Sequence, residues 1–351
     1  MPTAPSNQPG RLHIQRALDN VSLAWIQSQS DFVADRVFPN IPTDHQSDIY
    51  HVWPKGTTFR TEVQPRSPGA RTPRVTWRTE EATFLCPVYD LGHDIYDEER
   101  DNADSEWELD QIGAQLLTSQ HMLYREKKWA DAYFKTGVWT FERAGQAAGP
   151  LVGNAFLQFS NPASDPLTLI QTDVIRMHES TGVRPNFLMI TPYVEVVLTN
   201  HPLIIERVKY TGVAKAFGIT TPNAGTAVFR DILAEMFGVP RVMVASAVIN
   251  TAPAEDDSAP AYDTTGLIPG MHYLFGRHML LGHAAPSAGK RVPSAGYTFS
   301  WRRKSAATDM GMRTIKVRDI EGRKDSIIME QAFAQKVTAA DLAYFYSSAV
   351  A

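Results

Sequence analysis

Three stretches carry side chains that could do chemistry, and each lacks a part that the chemistry needs. Residues 284–291 read AAPSAGKR. Their Gly-Lys pair is what a phosphate-binding loop uses to set an ammonium beside a nucleotide, but the first glycine and the Ser/Thr that holds magnesium are missing. His272, His278 and His283 could ligate a metal, yet their spacing fits no common zinc pattern, so ordinary strand or loop histidines are expected. The carboxylates between Asp90 and Asp110 could attract a hard cation or supply an acid–base pair. They lack the alternation and central glycine of a calcium loop, and nothing separates them from an acidic entrance to a helix. HExxH, CxxC and GxSxG patterns are absent. The expectation is a protein that is not an enzyme, with no catalytic residue, cofactor or metal site.

Charge and aromatic placement are more informative. Between Lys55 and Arg78 stand six bases (Lys55, Arg60, Arg66, Arg71, Arg74, Arg78) and one acid, Glu62. Between Asp90 and Asp110 stand ten acids, among them Asp97, Glu98, Glu99, Asp101 and Asp104, and one base, Arg100. Two solvated faces would explain this; so would docking of one stretch on the other, within or between subunits. Trp53 and Trp77 lie among the arginines. Trp and Arg together suit either a stacking platform for nucleic acid or the anchors of a protein interface. A net charge of −4 favours the interface and argues against a general nucleic-acid binder.

The elements that must position these residues follow from periodicity. Ser105 to Gly137 predicts one long helix, with a Ser105/Glu108 capping box at its start and Gly137 as the left-handed stop. Leu109, Ile112, Leu116, Leu123, Ala130 and Tyr133 form its apolar stripe, expected to pack on the chain's own strands. Upstream, a short helix is expected within Val21–Val37, ended by Phe38-Pro39. Strands are expected over Ser47–Arg60 and Val75–Leu85, joined by the Pro- and Gly-rich 61–73 into a long hairpin that must lie on something. Downstream come a helix from Asp165 to Gly182, a buried strand 186–190 and short helices 192–198 and 231–237. A fully buried strand at 242–249 follows, then strands at 272–281, 296–302 and 312–319 and a β-rich 326–350.

The 351 residues suffice for two domains or one elaborate one, with 43% hydrophobic and 21% charged residues, as in ordinary globular chains. Cys86 is the single cysteine, so no intrachain disulfide forms and a reducing compartment is expected. No signal-like or membrane-length apolar run occurs, so neither secretion nor a membrane partner is expected.

Several runs together resemble tailed-bacteriophage major capsid proteins. They are residues 32–42 (FVADRVFPNIP) with 46–50 (QSDIY), 68–70 (PGA), 97–104 (DEERDNAD), 125–131 (REKKWAD), and 233–239 (LAEMFGV) leading to the strand at 242–250. The resemblance covers about residues 21–350. It implies an α+β fold of the Hong Kong 97 type. Its parts would be an N-terminal arm (1–45), an extended E-loop hairpin (46–88) and a peripheral P domain (89–154) with the spine helix at 105–136. An axial A domain (155–305) and a return to the P domain (306–351) would complete it. It also implies self-assembly as hexamers and pentamers into an icosahedral shell around nonspecifically packaged double-stranded DNA, in a virion assembled in the host cytoplasm. A separate scaffolding protein, a portal protein and a decoration protein would be the further partners, since the chain has no room for a long scaffolding segment. Some relatives crosslink an E-loop Lys to a C-terminal Asn. Lys55 is available, but no Asn follows Asn250, so noncovalent contacts are expected. On the same resemblance, an encapsulin-like compartment is the alternative; an α/β enzyme is the alternative outside it.

Overall fold

The computed structural model describes residues 27–53, 55–69, 71, 72, 74–76, 79–103, 109–211, 226–252, 270–287, 289, 292–303 and 311–351. Its organising strand is β14 (Lys324–Val337). Burial alternates from Lys324 to Glu330 and then becomes continuous from Gln331 to Ala334. That change marks where the strand passes from a sheet covered on one face to the interior. Its first part is flanked on both sides by antiparallel strands, β4 (Val88–Tyr96) and β13 (Met312–Asp319). Its last part pairs with β12 (Gly296–Trp301), which continues in parallel to β1 (Asn40–Thr43).

Helix α4 (Leu109–Tyr133) lies across this sheet, with Leu117 packed among Ile95, Ile327 and Met329. At 25 residues it is about 38 Å long. It ends at Tyr133, before the expected stop, although Gly137 does adopt the left-handed conformation (φ 85°). Ser105 and Glu108 lie outside the described residues. The expected stripe is corrected in part. Ala130 and Tyr133 are buried, but Gly113, Leu117 and His121 face the sheet while Ile112 and Leu116 are 46% and 49% exposed. The helix carries two apolar lines, and the shape of the sheet decided which one it covers.

A six-stranded sheet forms the second body, in the order β6 (Ala155–Leu157), β5 (Phe141–Gln146), β15 (Ala343–Ser347), β11 (Met279–Gly282), β7 (Phe187–Ile190), β8 (Val242–Val244). Its pleat feeds two cores. Phe187, Met189, Leu280 and Phe345 join Trp129 and Tyr133 of α4 on one face. Leu188, Ile190, Leu281 and Tyr346 meet α5 (Pro166–Thr181), α6 (Pro192–Thr199), α7 (Pro202–Thr211) and α8 (Thr226–Phe237) on the other. Helix α5 follows its sequence signals. Asp165 accepts from Thr168 N at 3.0 Å, Pro166 opens the first turn, and Gly182 (φ 71°) donates to His178 O at 2.8 Å. The strand expected over 242–249 is instead two, β8 and β9 (Val248–Asn250), separated by the buried Ala245 and Ala247. The strand expected over 272–281 likewise divides into β10 (Met271–Tyr273), paired with β9, and β11. Periodicity cannot mark where a strand changes partners.

The helix expected within Val21–Val37 reduces, among described residues, to a 3-10 turn at Gln29–Asp31 and one turn, α1 (Ala34–Val37). Its N-cap position is Val33, which has no side chain to satisfy the helix's free N–H groups. The carboxylate of Glu126 on α4 does so, accepting Val33 N and Ala34 N at 2.9 Å each. Beside it Arg125 donates to Asp35 at 2.8 Å and lies over the Phe333 ring at 5.0 Å. Phe38 closes the joint against Tyr133 and Trp129. Burial pushes the Glu126 carboxyl up to about 7, against the pull of its two backbone donors. A carboxyl that binds its proton more tightly in the folded state than unfolded stabilises the fold fully below its unfolded value. That contribution is lost as pH rises through about 7. Chemical denaturation should therefore show stability falling between pH 5 and pH 8. Glu126→Gln should remove that part of the slope, and an unchanged slope would refute the assignment.

Candidate assembly surface

Strands β2 (Ser47–Val52) and β3 (Glu80–Leu85) pair antiparallel into the stalk of the hairpin. The stalk lies on the body: Phe84 stacks on Phe299 at 4.1 Å, with Tyr50 on the same ring. Cys86, fully buried below, has its thiol pushed up to about 11 by that burial. The strands are shorter than the expected Ser47–Arg60 and Val75–Leu85. Pro54, which has no N–H for a ladder, precedes a helical turn, α2 (Lys55–Thr58). Lys55, the residue considered for crosslinking, is ion-paired to Asp341 of its own chain. The Phe59 ring lies against Gly182, where a Cβ would come within 2.7 Å of it.

Beyond Phe59 the described residues up to Thr79 form no strand and are exposed. Arg60, Arg66, Arg71 and Arg74 are exposed, and Arg66 donates to Thr72 at 3.3 Å. Val63 is 91% exposed and Val75 58%, apolar residues the expectation had not singled out as surface. Trp53 is exposed at the end of β2; Trp77 and Arg78 lie outside the described residues.

The acidic stretch divides. Asp97 takes a bidentate grip from Arg318 at 2.5 and 2.6 Å, and Asp94 is bonded by Lys324 and Ser326. These donors hold both carboxyls below the usual range. Asp110 is paired with Arg100 and Lys316. Glu98, Glu99 and Asp101 remain exposed on α3 (Asp97–Asn102); Asp104 lies outside the described residues. Among the described residues no ion pair joins the loop arginines to α3. The bases that answer Asp94 and Asp97, and one of the two that answer Asp110, come from β13 and β14, more than two hundred residues later. No local pattern in the sequence could have shown them.

The stretches weighed for chemistry have ordinary partners. His272, His278 and His283 each meet a separate backbone group. The N–H groups of Ala284 and Ala285 bond Asn186 and Ser294 rather than facing a ligand. No group of three metal-binding side chains occurs among the described residues. Ser164 and His201 lie 3.1 Å apart, but both are buried, Ser164 donates to Asn161 O, and the neighbouring Asp165 is spent on the α5 cap.

A long helix laid over a three-stranded sheet, a second sheet buried on both faces and a projecting basic hairpin form one recognisable architecture. No protein-family model matches the chain. The major capsid protein of Burkholderia phage BcepMu is 24% identical, over 96% of this chain and 98% of that protein. A phage-related protein from Bordetella bronchiseptica RB50 superposes with a TM-score of 0.61 at 17% identity, covering 92% of this chain and 93% of the other. The mature capsid of bacteriophage PhiM1 gives 0.55 at 13% identity, covering 95% and 91%. The chain has the Hong Kong 97-type capsid fold. The expected α+β class is met, and two of these three similar proteins are phage capsid proteins by name.

Within this capsid fold the two apolar lines of α4 have different duties, and adjacent leucines separate them. Leu117→Ala should lower stability by about 2–5 kcal/mol, the cost of a cavity in a packed core. Leu116→Ala should change it by less than about 1 kcal/mol. Denaturation midpoints would check both; equal losses would mean the outer line is covered within the folded chain.

Proposed function

We propose that this protein is the major capsid protein of a tailed phage. On this reading it self-assembles as hexamers and pentamers into the icosahedral shell that encloses packaged double-stranded DNA in the virion. The observation that carries it is the end-to-end match, 96% of this chain against 98% of a phage major capsid protein, on a chain that has the capsid fold. Two further features support it. The 60–79 loop exposes Val63, Val75 and its arginines without a core of its own, which a lone domain has no reason to keep. Among the described residues the exposed acids of α3 have no base from the loop of their own chain, and charge complementarity between copies supplies one.

In this reading residues 1–45 are the arm, 46–88 the E-loop, 89–154 the P domain with its spine helix, 155–305 the A domain, and 306–351 the return to the P domain. The E-loop arginines Arg60, Arg66, Arg71, Arg74 and Arg78, with Trp53 and Trp77, meet Asp97, Glu98, Glu99, Asp101 and Asp104 of a neighbour. Glu98, Glu99 and Asp101 are the landing points, since Asp97 already holds Arg318. A separate scaffolding protein, a portal protein and a decoration protein complete the partners, and assembly takes place in the host cytoplasm. No helix among the described residues is long and apolar enough to cross a membrane, and no membrane is assigned.

Negative-stain microscopy of the purified protein should show shells or capsomer rings; a small monodisperse particle would overturn the reading. Reversing Arg66, Arg71 and Arg74 to Glu should block assembly at low salt while leaving circular dichroism unchanged. Deleting residues 61–73 should do the same. Normal shells from the triple mutant would sink the charge-docking part.

A further inference from the structure

The loop between β5 and β6 carries an apolar tip. Pro150, Leu151 and Val152 stand between Gly149 and Gly153, whose backbones both have positive φ (108° and 64°). That conformation suits glycine and fixes the shape in which the tip is presented. Turns that face water ordinarily take Asn, Asp, Ser or Gly, yet Leu151 is half exposed and Val152 is 74% exposed. Residues 144–154 carry no charge. Among the described residues the backbone groups of Ala148, Gly149, Pro150 and Leu151 have no hydrogen-bond partner. An uncharged aliphatic pair held out on a shaped loop is what an interface anchor requires.

A cleft of 330 Å³ that suits such a tip opens between α5 and α8. Val174, Met236 and Phe237 line it, Ile175 lies on its lip at 67% exposure, and His178, Arg184 and Glu235 stand at its rim. Arg184 has no ion pair among the described residues. The rim offers donors at Arg184 and an acceptor at Glu235, which answers a tip whose backbone donors and acceptors are unpaired. Tip and cleft sit at opposite edges of the six-stranded sheet. The tip leads into β6, one edge strand, and the cleft adjoins Gly238 at the approach to β8, the other. The strands between hold these edges about 24 Å apart, so a tip tethered to β5 and β6 does not reach the cleft of its own copy. We propose that Leu151 and Val152 of one copy seat in the α5/α8 cleft of the next. The inference rests on the capsid reading, since it needs adjacent copies. A contact that joins one edge to the opposite edge is head to tail, and contacts of that kind close into rings.

The test uses the full chain, assembled and then oxidised, and is read on non-reducing denaturing gels. Val152→Cys combined with Ile175→Cys should give a ladder of linked chains that ends at five or six. The buried Cys86 does not compete. Mixing Val152→Cys chains with Ile175→Cys chains should give dimers only, because each pair then has one tip and one cleft to join. A dimer from either single variant alone would set like edges together and overturn the proposal, as would a disulfide within one chain. Particles or rings without the ladder would overturn the contact and leave the capsid reading standing; monomers at every concentration would overturn both. Val152→Asp should raise the concentration needed for assembly at least tenfold. Its circular dichroism and denaturation midpoint should be unchanged, since the side chain is exposed in the folded chain. Assembly of Val152→Asp at the unmodified concentration would refute the contact.

Discussion

The buried carboxylate of Glu126 is there because two backbone N–H groups have no other acceptor. A helix of one turn cannot satisfy its own first N–H groups, and Val33 at its N-cap offers only a hydrocarbon. Glu126, more than ninety residues later, supplies both bonds, and Arg125 holds Asp35 beside it. The bonds fix where the chain enters the body, and Phe38 follows into the aromatic cluster with Trp129 and Tyr133. From there Tyr133 donates to Tyr297 O on β12. Gly296 has no side chain because a Cβ would stand 2.9 Å from the Tyr133 ring. Entry segment, helix and sheet are thus one joint, and desolvation of a single carboxylate is its cost.

That joint explains the contrast between the two ends of α4. Its C-terminal half is enclosed by residues 33–38, β12 and the six-stranded sheet, and Trp129, Ala130 and Tyr133 are buried there. Its N-terminal half has the three-stranded sheet on one side only, so Leu117 is buried and Leu116 is not. A rod covered over part of its circumference can support one assembly of contacts within the chain and another outside it.

The hairpin shows the same division of labour. Its stalk is held by stacking on Phe299, by Lys55 with Asp341 and by Phe59 at Gly182. The described residues of the loop beyond Phe59 are exposed, and that loop carries the arginines. The acids behave likewise: those near the sheet are neutralised by β13 and β14, and those on α3 remain exposed. Among the described residues, Arg60, Arg66, Arg71 and Arg74 of the loop and Glu98, Glu99 and Asp101 of α3 stay exposed, opposite in sign and separate in place.

Much of this was legible in the residues. The caps of α5 at Asp165 and Gly182, the buried strand at 187–190 and the short helix after Pro192 follow from local rules, because capping and pleat depend on neighbours in sequence. The segregation of charge between 55–78 and 90–110 was likewise plain, since composition requires no fold. Tertiary structure alone decided three things. It chose which apolar line of α4 faces the sheet, because both satisfy helical spacing and only the shape of the partner distinguishes them. It divided 242–249 and 272–281 into separate strands, because a change of pairing partner leaves no mark on hydrophobicity. It spent Asp94 and Asp97 on bases from the far end of the chain, shared Asp110 between Arg100 and the distant Lys316, and left Glu98, Glu99 and Asp101 exposed, because ion pairing depends on distance in space, which sequence does not contain.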